Sequence, residues 1–241
     1  MLKAIFFDMD ETLCGTSQAD KIAGEKLEQW LRNKYPQIED LSTFVGRYLQ
    51  GIYKKLGDDF PQLIKYLPDE NAYRCGLFQA LLEEQGVFSD THHAQEAQNF
   101  FDLERMRAFT FFPGVKDMLI ELRLKYKLIL ITNGPVFSQW PKINATQMNR
   151  WVDHIIVGGE EPEEKPAASI FLKALKLAGV TAEEAIHVGD SLIADIKGAN
   201  DLGILSVWVN ATGIINETEV EPNYEVRKAI EIHKILTSSL N

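Results

Sequence analysis

Asp8 and Asp10 stand one residue apart at the end of the apolar run Ile5-Phe6-Phe7, with Thr12 two positions further on. Carboxylates this close repel each other, so the pair needs a cation or a shared proton. Three other places offer groups that complete such a site. Thr132-Asn133-Gly134 closes a second apolar run, Lys165 precedes Pro166, and Gly189-Asp190-Ser191 ends another run, with Asp195 a turn later. If these segments converge, Asp8, Asp10 and Asp190 require compensation, and Mg²⁺ suits a site of few carboxylates plus phosphate and water. Lys165 adds a second positive charge, expected to pair with an acidic group until a ligand arrives. The Thr132 hydroxyl and the backbone N–H groups near Asn133 and Gly134 can donate to phosphoryl oxygens, helped by a helix N-terminus. A carboxylate could then attack phosphorus in line and form an aspartyl-phosphate. A carboxyl two residues on could protonate the leaving oxygen and later deprotonate water.

The elements that must position these groups follow from hydrophobic periodicity. Residues 3–7 read as a buried strand, apolar on both faces as in a parallel sheet. Further strands are predicted over 127–132, 154–157, 185–188 and 204–209, and helices over 166–177, 193–202 and 224–236. Pro166 is expected to open the first of these helices and Gly179 to close it. Strands alternating with helices predict an α/β fold, a doubly wound parallel-sheet, Rossmann-like core. From Ser17 to Ala108 no strand pattern occurs. Ala23, Leu27, Trp30 and Leu31 recur at helical spacing, and Pro36, Gly57, Pro61, Pro68 and Gly86 divide the region into four or five helices. The expected division is a core of residues 1–16 and 109–241 with an inserted α-helical cap of residues 17–108. Ligand sites in open α/β sheets lie at the carboxyl ends of strands, which is where the acidic groups fall.

Composition narrows the partners. The chain has 241 residues, 45% hydrophobic and 25% charged, enough for one large core or a core plus an insert. A net charge of −10 argues against nucleic acid or anionic membrane as partner, while leaving room for a local phosphate site. Cys14 and Cys75, the two cysteines, have no metal or redox spacing and read as free thiols. No apolar run approaches the roughly 20 residues of a membrane span, and none resembles a leader. A soluble, cytoplasmic monomer is the default expectation.

Asp8-x-Asp10-x-Thr12, Ile131-Thr132-Asn133-Gly134, Lys165-Pro166 and Gly189-Asp190-Ser191-Leu192-Ile193-Ala194-Asp195 resemble the four motifs of the haloacid dehalogenase superfamily, in order and across the whole chain. The resemblance implies Asp8 as nucleophile and Asp10 as general acid and base. It implies Mg²⁺ held by Asp8, the Asp10 backbone carbonyl and Asp190. Asp195 would support the acidic cluster, with Thr12 in the first motif, and Thr132, Asn133 and Lys165 would hold the phosphoryl group. The run from Val157 to Phe171 is also similar to the corresponding segment of the N-acylneuraminate-9-phosphatase group, and Gln139, Lys142 and Ile143 sit as they do there. Pro135-Val136-Phe137 and Trp140-Pro141 depart from that pattern, which has more polar residues. The implied activity is Mg²⁺-dependent hydrolysis of a small phosphorylated metabolite, with N-acylneuraminate 9-phosphate, phosphoglycolate, sugar phosphates and nucleotides as candidates. A phosphomutase, a 2-haloacid dehalogenase and a catalytically silent binding module are the alternatives. A dehalogenase would need neither Mg²⁺ nor Asp10, and a silent relic would have lost an acidic position.

Other conspicuous residues carry plainer expectations. The acidic run Glu160, Glu161, Glu163, Glu164 reads as a solvated loop, His92-His93 as surface, and His187 as a packing residue. The cap cations Arg47, Lys54, Lys55, Arg74, Arg105 and Arg107 are candidates for a substrate carboxylate.

Overall fold

A computed structural model of the chain describes residues 1–88 and 90–238. It separates into two compact units, one formed by Met1–Thr16 with Phe109–Asn241 and the other by Ser17–Ala108.

The first unit is built on a six-stranded parallel sheet. Its strands are β1 (Ala4–Phe7), β2 (Lys127–Thr132), β3 (His154–Val157), β4 (Ala185–Gly189), β5 (Leu205–Val209) and β6 (Tyr224–Val226), in the order β3-β2-β1-β4-β5-β6. The chain therefore winds outward from β1 in both directions, and β1 pairs with β2 on one side and β4 on the other. The switch between the two windings, where doubly wound sheets bind ligands, falls at the carboxyl end of β1, directly before Asp8. One face of the sheet packs Phe6, Ile129, Ile131 and Ile156 against Ile170, Phe171 and Ala174 of a helix, Ala168–Ala178. Side chains alternate along a strand, so Ile5, Phe7, Leu128 and Leu130, also buried, serve the opposite face.

Three expectations are corrected. Pro166 does not open a helix: the Lys165–Pro166 peptide is cis, the Ala167 N–H donates to the Glu164 carbonyl (2.9 Å), and the helix begins at Ala168. Gly179 does close it, with φ +67°. The segment expected as a helix over 193–202 is a π-helical turn at Leu192–Lys197 continued by Gly198–Asn200. The last predicted helix begins too early. Tyr224–Val226 adds a sixth strand beside β5, and only Ile232–Ser238 is α-helical. Its short alternating run Tyr-Glu-Val takes the open edge of β5, a long-range pairing that outweighs local helical spacing.

Among the described residues the second unit holds four α-helices, Thr16–Lys34 (whose first residue belongs to the first unit), Leu41–Ile52, Glu70–Glu84 and Thr91–Ala108, with a 3₁₀ turn at Pro61–Tyr66. Asp40 and Asp69 cap the second and third helices, accepting from the Thr43 and Ala72 N–H groups. The unit has its own core, in which Phe44 and Tyr48 meet Phe78 edge-on and Tyr48 also meets Phe101.

Candidate active site

β1 ends in Asp8, whose N–H donates to the Val188 carbonyl (2.9 Å), so the carboxylate leaves the sheet beside the end of β4. Lys165 arrives from the turn before Pro166 and bridges two acids, Nζ lying 2.7 Å from Asp8 Oδ1 and 2.6 Å from Asp195 Oδ1. The buried ammonium would be lowered by desolvation, but Asp195 and Asp8 hold it above its ordinary range. Asp195 sits on the π-helical turn, where its oxygens also meet His187 Nε2 (2.9 Å) and the Ser191 N–H (3.0 Å). Burial would raise this carboxyl, but Lys165 and the bond to His187 outweigh it and hold the group well below the usual range. Such π-turns recur at functional sites. Gly189 makes this one possible, because a Cβ there would stand 2.2 Å from Asp195 Cγ.

Asp8, Asp190 and Asp195 can bring one oxygen each within 4.8 Å of one another. Asp195 is committed to its donors, whereas Asp8 and Asp190 are poorly compensated. Burial, then Asp195, Asp190 and Asp10, push Asp8 well above the ordinary carboxylate range, with Lys165 opposing. Burial and Asp195 push Asp190 to about 7. His187, lowered by burial, adds no strong cation. One ammonium among three carboxylates leaves this cluster short of positive charge, and oxygen donors of this kind fit a hard divalent cation. The Asp190 loop is fixed from behind by the Trp208 indole N–H, which donates to the Asp190 carbonyl (2.8 Å).

The second motif contributes in two ways. Thr132 is buried at the end of β2 and its hydroxyl has no hydrogen-bond partner, so a donor waits there for an oxygen. Asn133 is used as a tie. Its Nδ2 donates to the Lys165 carbonyl (2.8 Å) and its Oδ1 accepts from the Lys165 N–H (2.9 Å), fixing the lysine turn to the end of β2. Thr12 is buried as well, its hydroxyl unpartnered, beyond Glu11 at φ +56°.

Asp10 faces a set of donors that the motifs did not contain. Lys142 Nζ lies 2.9 Å from both carboxylate oxygens, Gln139 Nε2 donates to Oδ2 (3.1 Å), and the Thr16 hydroxyl donates to Oδ1. Gln139 and Lys142 belong to the helix Val136–Thr146, which follows β2, and both are buried. The signal was present in the sequence as two polar residues three apart on the inward face of that helix, beside Ile143 and Thr146. Gly134, at φ +109°, makes room for Gln139, whose Nε2 would be 2.8 Å from a Cβ at that position.

The acidic loop is tied down side chain by side chain. Glu160 accepts from the Trp140 indole (2.7 Å), Glu161 pairs with Lys173, Glu163 accepts from Ser169 (2.9 Å) and Glu164 from the Gly134 N–H (2.9 Å). His187 is a core residue edge-on to Phe171, as expected, and also supports Asp195. His92 and His93 cluster with Asp90, but Asp90 is engaged in accepting from the His93 N–H (2.9 Å). Among the cap cations, Arg47 pairs with Glu84, Lys54 with Glu70, Arg74 with Glu70 and Asp102, Arg105 with Asp20, and Arg107 with Glu104.

A doubly wound sheet with acids and a lysine gathered at its switch point defines the class as a Rossmann-like enzyme. The family model for haloacid dehalogenase-like hydrolases matches residues 2–203, and the chain belongs to that family. It is 31% identical to the N-acylneuraminate-9-phosphatase of Homo sapiens over 239 residues, covering 98% of this chain and 94% of that protein. It is 34% identical to the glyceraldehyde 3-phosphate phosphatase of Pyrococcus abyssi over 211 residues, covering 86% and 81%. In fold it resembles the solved structure of the putative hydrolase YfnB of Bacillus subtilis bound to magnesium, with a TM-score of 0.70, 24% identity and 98% of each chain covered. Among the described residues no helix is long and apolar enough to cross a membrane.

Proposed function

We propose that this chain is a Mg²⁺-dependent phosphomonoesterase that works through a phosphorylated Asp8. The observation that carries the reading is the Lys165 bridge between Asp8 and Asp195, with Asp190 close by, at the switch point of the sheet. Asp8, Asp190 and the Asp10 backbone carbonyl would hold Mg²⁺, which when bound supplies the positive charge that the acids and an incoming phosphate lack. Lys165 shares that task and, with the unpartnered Thr132 hydroxyl and the backbone N–H of Asn133, grips the phosphoryl oxygens. The Asn133 side chain acts by holding the Lys165 turn. An Asp8 oxygen attacks phosphorus, the bond to the leaving oxygen breaks, and Asp10 gives that oxygen a proton. Asp10 then takes a proton from water, which attacks the aspartyl-phosphate and releases inorganic phosphate. Asp195, pinned by Lys165, His187 and Ser191, supports the cluster from behind.

The substrate is proposed to be a small phosphorylated metabolite. The near full-length likeness to an N-acylneuraminate-9-phosphatase favours N-acylneuraminate 9-phosphate, and the likeness to glyceraldehyde 3-phosphate phosphatases keeps a triose phosphate in the panel. The test is phosphate release from such a panel, with phosphoglycolate and nucleoside monophosphates included, for the native chain and for Asp8→Asn. Release that requires Mg²⁺, stops in EDTA and vanishes in the variant is expected. Undiminished turnover by Asp8→Asn would overturn the nucleophile assignment, and halide release from a 2-haloacid in EDTA would replace the reading with dehalogenation.

A further inference from the structure

We infer that Lys142, with Gln139 beside it, is a positioning residue for the acid–base carboxylate of Asp10; the inference rests on the phosphomonoesterase reading above. A carboxylate offers about four lone-pair sites, two on each oxygen. At Asp10 each oxygen receives two donors: Lys142 and Thr16 on Oδ1, Lys142 and Gln139 on Oδ2. The plane and direction of the carboxylate are thereby set from outside the first motif. The contributors differ in kind. An ammonium and an amide nitrogen can only donate, so Lys142 and Gln139 hold the group in one orientation, whereas the Thr16 hydroxyl can donate or accept, and its position on Oδ1 is the one that opens when Asp10 carries the proton for the leaving oxygen.

Lys142 is also placed unlike Lys165. Lys165 bridges Asp8 and Asp195 and neutralises the acidic cluster, while both Lys142 hydrogen bonds go to Asp10. Its ammonium is buried and lies 5.8 Å from the centre of the Phe109 ring, and Gln139 Nε2 is braced by the Asn133 carbonyl (2.5 Å). A buried lysine stem with a fixed head group is a costly arrangement to keep unless the charge is paired. Here the pairing falls on the one carboxylate that must point at the leaving oxygen, and later at water.

A residue that acts through the general acid has a signature that a purely structural one lacks. Esters with a poor leaving group, such as an alkyl phosphate, need the proton, and p-nitrophenyl phosphate does not. The experiment measures kcat/KM, which reports phosphoryl transfer to the enzyme, on both esters for the native chain, Lys142→Met, Lys142→Arg, and Lys142→Met combined with Asp10→Asn. Lys142→Met is expected to lower kcat/KM about 100-fold on the alkyl ester, at the lower end of what general acid catalysis contributes, and less than about 3-fold on the aryl ester. Lys142→Arg is expected to recover part of the loss, and Lys142→Met should add nothing in the Asp10→Asn background. Equal losses on both esters, no loss on either, or a full additional loss beside Asp10→Asn would overturn the inference. Should Lys142→Met not fold, Gln139→Leu carries the same comparison of esters, with the same outcomes deciding. A native chain that hydrolyses neither ester would overturn the phosphomonoesterase reading and this inference together. A native chain that hydrolyses both, with uniform losses in the variant, would overturn this inference alone.

Discussion

Asp195 and Asp190 show how neighbouring carboxylates are given different work by their donors. Asp195 accepts from Lys165, Ser191 and His187 and is held well below the usual range, whereas Asp190, pushed by burial and by Asp195, reaches about 7. The sign of the consequence follows from linkage. For Asp190 the folded value lies above the ordinary 3.8, so its contribution to stability is fully present below that value and is lost as pH rises through about 7. A cation that binds the ionised form must displace the proton below about pH 7. The rise in melting temperature on adding Mg²⁺ is therefore expected to be larger at pH 8 than at pH 6; a shift independent of pH would remove Asp190 from the metal set. Lys165 is the second residue with a clear prediction. Replacing it with Met leaves buried Asp8 and Asp195 without their shared cation, and breaking such a buried pair costs about 3–5 kcal/mol. Urea unfolding without metal should show that loss, and a stability within about 1 kcal/mol of native would argue that the pair is dispensable.

At the scale of elements, the strands that frame the site were legible because each is a short apolar run ending in Gly, Asp or Asn, and the ends of β1, β2 and β4 fall within a residue of their sequence reading. What escaped has physical causes. β6 exists through its pairing with β5, which no local periodicity reports. The π-helical turn after β4 depends on Ser191 capping it and on the Asp195 carboxylate folding back to the Ser191 N–H, contacts invisible to a 3.6-residue pattern. Gln139 and Lys142 were singled out through the resemblance of their segment, without a role, because nothing local says that Asp10 is their partner. The turn after β4 yields a direct test. A methyl at Gly189 would occupy the space of Asp195, so Gly189→Ala should cost about 1–3 kcal/mol and lower turnover with it. Native stability and turnover in that variant would show that the turn tolerates a different Asp195 position.

At the scale of the whole molecule, the four motifs and the insert fall in separate units. The first unit carries all the acids and the lysine of the four motifs, and the second has a separate aromatic core around Tyr48, Phe78 and Phe101. Because Phe101 is fully buried there, Phe101→Ala should cost about 3–5 kcal/mol in the unfolding of that unit, read from denaturant curves. The helical character of the insert was legible from spacing and from Pro and Gly breaks, but the pairing of its charges was not. Five of the six cations singled out by sequence are matched to carboxylates within the insert, a pairing that depends on tertiary packing. The most direct test of the central proposal is to quench a turning-over reaction in acid and weigh the peptide that spans Asp8. A fraction heavier by one phosphoryl group on Asp8, absent without Mg²⁺ and absent in Asp8→Asn, is the expected result. Full turnover with that peptide unmodified under rapid quench, or with the phosphoryl group on another residue, would contradict it.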